Sequence, residues 1–161
     1  MTAQTPDQPP RVPGERRLAH PPSDRYRAPE AEAEVADPAA TPIRGLALGT
    51  VAAVAGAGIV TLLGGVVTIT SGLVVAAGAI GWTVAVGVRF GSRGSLTRSG
   101  RVRLAVGLAI GAVIAGQFGL WVYARSEGGV LGPLDYLAEV FGPLVPLELL
   151  VASVVAWATA R

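Results

Sequence analysis

The chain reads as an all-α membrane protein: a bundle of four transmembrane helices behind a disordered N-terminal tail. Three observations predict this class. No charged residue occurs from Gly45 to Val88, a run of 44. Two further apolar stretches follow, at about 104–124 and 144–160, and an arginine closes each. The first 42 residues, by contrast, hold nine of the twelve prolines and few aliphatic side chains.

Composition supports the same class. Hydrophobic residues make up 51% of the 161, and the mean hydropathy is +0.53 despite the polar start. The remainder is more apolar than a water-soluble core requires, so lipid is the expected second solvent. The sequence pI of about 9.7 does not imply nucleic-acid binding. Five arginines of the tail face seven acids there, and most other arginines flank apolar spans, where topology requires them. All thirteen basic residues are arginine, which, with the excess of Ala, Gly and Val, fits a GC-rich bacterial genome.

The tail, residues 1–42, carries Asp7, Glu15, Asp24, Glu30, Glu32, Glu34 and Asp37. Such a segment cannot bury enough apolar surface to offset its ordering entropy, so disorder is expected. Forty-odd polar residues before the first apolar run do not fit a signal peptide. No PxxP segment has a distinctive flanking pattern, so the tail reads as a linker.

A helix of 44 residues would extend about 66 Å, over twice the ~30 Å hydrocarbon layer. The uncharged run must therefore fold back once. Gly64-Gly65 and Thr70-Ser71-Gly72 are the turn candidates, giving helices near 45–66 and 70–90. The third span, 104–124, lies between Arg103 and Arg125 and has Gln117 as its polar interruption. The fourth, 144–160, is short for a span. Between them, Pro133 to Phe141 has the pattern of an amphipathic helix lying at the interface.

Arginine placement orients the bundle. Arg89, Arg93, Arg98, Arg101 and Arg103 crowd the link between the second and third spans, with no acid among them. The next link carries Glu127, Asp135 and Glu139 against Arg125. A cell-membrane protein with four spans and both termini in the cytoplasm satisfies these placements. The five arginines read first as topology determinants and second as candidate contacts for anionic lipid headgroups, worth about 1 kcal/mol each near the surface.

Small residues recur every fourth position: Gly45, Gly49, Ala53, Ala57; then Gly107, Gly111, Ala115, Gly119; then Ala152, Ala156, Ala160. These rows are the expected packing seams, because close backbone approach replaces the hydrophobic effect between helices in lipid.

Glu148 is the one ionisable residue inside an expected span, which makes it a candidate proton, cation or substrate site. The alternative is an interfacial carboxylate in the first turn of a helix starting near Val145, eased by the helix dipole. Gln117 lies at a comparable depth, yet it points away from the Gly107–Gly119 row. Contact with Glu148 would require the fourth helix to pack on the opposite face.

No cysteine occurs, which excludes thiol chemistry. The single histidine, His20, stands in the tail. No nucleotide, cofactor or metal motif is present, and the glycines at 91, 94 and 100 match neither dinucleotide nor Walker spacing. Catalysis requires convergent groups that the spans lack. The expectation is therefore a non-enzymatic accessory or membrane-organising subunit, with a membrane-protein partner or a homo-oligomer, and no cofactor and no nucleic acid. The second reading is a small oligomeric transporter using Glu148. In size and helix count alone the chain resembles the small multidrug-resistance exporters. That family's essential glutamate lies in the first span, where this chain has no charge, so the resemblance implies no site residue here.

Overall fold

The computed structural model of the chain describes residues 38–66 and 72–161. Most of the expected tail therefore lies outside the described residues, and so does part of the Thr70-Ser71-Gly72 turn candidate. Among the described residues the chain is helical and has no strand.

Helix α1 spans Pro42–Thr61. Thr41 caps it, its hydroxyl accepting the Arg44 backbone N–H at 3.1 Å, and Pro42 occupies the first position, where a missing N–H breaks no helical bond. A π-helical turn, Leu62–Val66, continues α1 and contains the Gly64-Gly65 pair. Helix α2 spans Gly72–Gly91. Helix α3 runs from Arg98 to Ser126. It starts well before Leu104 because Thr97 caps it there, accepting the Gly100 N–H at 3.2 Å. Arg98, Arg101 and Arg103 thus belong to a helix rather than to a loop.

The expected interfacial segment divides in two: α4, Pro133–Tyr136, and a π-helical turn, Leu137–Phe141. Phe141 is buried and Leu137 half-buried, while Leu134 is 80% exposed. The amphipathic pattern of this segment thus buries apolar side chains in its second half. Helix α5 spans Leu144–Ala160 and bends from the preceding segment by 90°. Gly142, with φ at +49°, turns the chain there in a conformation glycine adopts readily.

Three helices are long and apolar enough to cross a bilayer, and α5 makes a fourth when taken with the segment before it. Ile43, Val51, Val54, Val75, Leu150 and Val154 are all more than half exposed, an outward apolar surface that suits lipid.

Helix α2 touches α1, α3 and α5, and α3 touches α1 and α5. The contacts are backbone-close. A Cβ added to Gly91 would lie 2.6 Å from Gly45 N and Cα, and one added to Gly81 would overlap the Ala152 carbonyl. One cluster joins α2, α3 and α5 through Ala77, Ala85, Ala105, Ala109, Ala152 and Ala156. A second joins α1 to α2 and α3 through Ala53, Val60, Ile80, Ala112 and Leu120.

The first expected seam holds at Gly45, Gly49 and Ala53, then passes to Gly56 and Val60. The fourth helix buries Ala152, Ala156 and Ala160. On α3 the expected row packs only at its last member, half-buried Gly119, which lies against Thr61 of α1. Gly107, Gly111 and Ala115 are exposed, and the buried residues are Ala105, Ala109, Ala112, Val113, Gly116, Gln117 and Leu120. Alanine or glycine occupies several rows of α3, so a four-residue period could not choose among them.

Two substitutions separate these environments. Gly81→Ala is expected to destabilise the bundle by about 1–3 kcal/mol through overpacking. Gly107→Ala meets nothing within 4 Å and should be neutral or stabilising by up to about 1 kcal/mol. Reversible unfolding in mixed micelles measures both.

Candidate functional site

Proline placement sets the depth of Glu148. Helix α5 begins at Leu144 after Pro143, and the Leu147 N–H donates to the Pro143 carbonyl at 3.3 Å. Pro146 thus falls in the first turn, where it interrupts no helical bond. Glu148 stands one turn further in, not in the first turn. It heads the row Glu148, Ala152, Ala156, Ala160, whose members are all fully buried.

The facing row on α3 is Ala105, Ala109, Val113 and Gln117, each at most 2% exposed. Helix α5 packs on this face, the one opposite the Gly107–Gly111 row, and so meets the condition for a Gln117–Glu148 contact. Gln117 Nε2–H donates to Glu148 Oε2 at 2.5 Å. The remaining oxygens, Gln117 Oε1 and Glu148 Oε1, are buried and have no hydrogen-bond partner. Two polar side chains are thus joined by one bond inside an otherwise apolar interface, leaving one unpaired acceptor on each.

Beside the pair lies a cavity of about 200 Å³ bounded by α3, α4 and α5. Ile114, Phe118, Trp121, Leu134, Leu137 and Leu149 contribute to its wall, and Gln117 is the polar residue in the lining. Trp121 Nε1–H donates to the Leu131 carbonyl at 3.1 Å, fastening the loop that carries α4 over this end of the bundle.

At the other end the five arginines of the α2–α3 link divide by role. Arg89 donates to the Thr159 carbonyl at 3.0 Å, supplying a partner to the last turn of α5, where cations are favoured. The Arg93 guanidinium lies 4.7 Å from the centre of the Phe90 ring. Arg98 and Arg103 line a cleft with Arg161, Thr97, Ser99 and Trp157, and among the described residues no acid lines it. Arg101 is half-buried and does not line that cleft. The linear sequence grouped five arginines, whereas the structure gathers two of them with Arg161. Arg161 follows α5 and is brought there by the antiparallel packing of α3 and α5.

Buried Ser92, which donates to the Val88 carbonyl at 2.6 Å, was not legible as a packing residue. It turns inward where Gly45 approaches α2. Among the described residues no group of three His, Cys, Asp or Glu side chains could hold a metal ion.

No protein-family model, curated protein or solved structure matches this chain. Its function is accordingly argued from its own residues.

Removing the donor tests the site. Gln117→Leu strands the Glu148 carboxyl and should cost about 1–3 kcal/mol of bundle stability. The double variant Gln117→Leu, Glu148→Leu should recover most of that loss, because neither polar group is left unmatched. Unfolding titrations of the four proteins of this cycle measure the coupling.

Proposed function

We propose that the chain is a four-span protein of the cell membrane, with both termini cytoplasmic, that works through lateral contacts as an accessory or membrane-organising subunit. The arginine-rich end of α2 and α3 opposed to Glu127, Asp135 and Glu139 supports this orientation. The 90° bend before α5 suits a short span preceded by a segment lying at the outer interface. The polar tail serves as a linker on the cytoplasmic side.

The observation that carries the contact reading is the outward row Gly107, Gly111 and Ala115 on α3. Added Cβ atoms at Gly107 and Gly111 meet nothing within 4 Å, so no packing among the described residues requires glycine there. Mid-helix glycine is unfavourable by about 1 kcal/mol relative to alanine. A helix packing from outside benefits from that flat surface, as small-residue faces do in bilayers. A second shallow groove between α1 and α2, lined by Ala52, Ala55, Gly56, Ala76 and Ala79, offers similar close approach. The cleft of Arg98, Arg103 and Arg161 fits an anionic lipid headgroup.

The second reading, a small oligomeric transporter, is favoured by one observation. Glu148 is a fully buried carboxyl with an unpaired oxygen, and intramembrane acids commonly serve proton or cation pathways.

The chain has no cysteine, so single-cysteine variants report contacts cleanly. Gly111→Cys in native membranes should cross-link to a second copy or to another membrane protein, while buried Ala109→Cys should not. Equal yields at the two positions, or none at Gly111→Cys, would contradict the contact reading. A separate outcome tests the lipid cleft: replacing Arg98, Arg103 and Arg161 by glutamine should weaken retention of anionic over zwitterionic lipid, measured by native mass spectrometry. For transport, Glu148→Gln should abolish substrate-driven proton flux in proteoliposomes, and unchanged flux removes that reading.

A further inference from the structure

The Gln117–Glu148 pair leaves part of its hydrogen-bonding capacity unused. An amide offers two N–H donors and one carbonyl acceptor, whereas an ionised carboxylate only accepts. With Glu148 ionised, the pair makes one hydrogen bond, Gln117 Nε2–H to Glu148 Oε2. It then leaves two acceptors, Gln117 Oε1 and Glu148 Oε1, buried without a donor. Buried polar groups in folded proteins are nearly always satisfied, and one orphan on each member of a bonded pair admits a common explanation. A single proton supplies it. On Glu148 Oε1 it converts one acceptor into a donor and matches it to the other acceptor.

We propose that Glu148 and Gln117 form a proton-binding site, occupied in the packed bundle as a closed acid–amide ring. Gln117 Nε2–H donates to Glu148 Oε2, and Glu148 Oε1–H donates to Gln117 Oε1. The ring is neutral, and both inward oxygens acquire partners within it.

Among the described residues no competing counter-charge faces the pair. Helix α2 has no ionisable residue before Arg89, whose guanidinium donates to Thr159 at the far end of α5. Helix α1 brings Arg44, which donates to the Ala39 carbonyl. Helix α3 brings Arg98, Arg101 and Arg103 at its opposite end, and Tyr123 and Arg125 at the near end. The Tyr123 hydroxyl bonds Glu127, and Arg125 is exposed and stacks on Trp121. From the segment before α5 come Asp135 and Glu139, both exposed, and half-buried Tyr136. Among the described residues none supplies a cation to the pair, and a bound proton is the charge-neutral way to complete it.

The consequence is a bond between α3 and α5 that depends on proton occupancy. Loss of the proton removes one hydrogen bond and sets two acceptors against each other. It also places a charge on a fully buried side chain of an apolar interface. Proton binding and α3–α5 packing are therefore linked, each favouring the other. The inference deepens the reading of Glu148 as a proton site and rests on it for any coupling to transport.

Infrared difference spectroscopy of the full chain in phosphatidylcholine vesicles reads the proton directly. A protonated-carboxyl stretch is expected to persist at neutral pH, to shift on side-chain carbon-13 labelling of glutamate, and to vanish in Glu148→Gln. In Gln117→Leu the same band should move to higher frequency, because the acid keeps its proton but loses its partner. That variant also tests the ring if Glu148→Gln fails to fold. As pH is raised, the wild type should lose stability relative to Glu148→Gln, whose amide pair closes the same ring without a titrating proton. A carboxylate signal alone at neutral pH, or a band unmoved in Gln117→Leu, would overturn the ring. Flux is measured separately: a protonated pair without flux leaves the ring standing and removes only transport.

Discussion

Close backbone contact at small residues is the constraint on which the rest of this structure depends. Apolar side chains gain little by leaving lipid for one another, so helices that associate there need intimate van der Waals contact and a few polar links. Gly91 lies against Gly45, and Gly81 lies against the Ala152 carbonyl. At both crossings a methyl group has no room. With α2 clamped to α1 and α5 in this way, α3 fills the remaining side, using Ala105 and Ala109 toward α5 and Gly116 toward α1. The two faces of α3 come to different ends: one is buried against α1, α2 and α5, and the other carries Gly107 and Gly111 outward.

Within that frame the polar residues follow from what burial demands. Gln117 and Glu148 occupy matching positions on facing rows, one near the end of α3 and the other near the start of α5. Each is buried, and a buried polar group is costly without a partner, so the two meet across the interface. The arginine-rich end obeys a different rule. There the side chains reach out of the bundle, stack on Phe90 and Trp157, and complete the last turn of α5.

Much of this was legible in the residues, for physical reasons. The long uncharged run, the closing arginines and the inward row from Glu148 to Ala160 follow from helix length and period, which the sequence states directly. The α3 interface was not legible from its small residues. Gly107, Gly111 and Ala115 repeat at four, but so do Ala105, Ala109 and Val113, and periodicity alone cannot rank two rows of similar size. Gln117 was the better marker, because a polar amide in an apolar helix must face a partner. Reading α3 from Gln117 rather than from its glycines gives the observed face. The early start of α3 at Arg98 was missed because Thr97 acts as a cap, and a run of arginines and serines masks that signal. Arg161 joins Arg98 and Arg103 by tertiary packing that no linear spacing announces.

Helix α5 packs on the Gln117 face of α3 and leaves the Gly111 face outward. Intramolecular disulfide trapping tests it most directly, since no native cysteine interferes. Gln117→Cys combined with Glu148→Cys should link rapidly within one chain under mild oxidation, while Gly111→Cys combined with Ala152→Cys should remain unlinked. Fast linkage of the second pair and none of the first would place α5 on the glycine face and contradict the account.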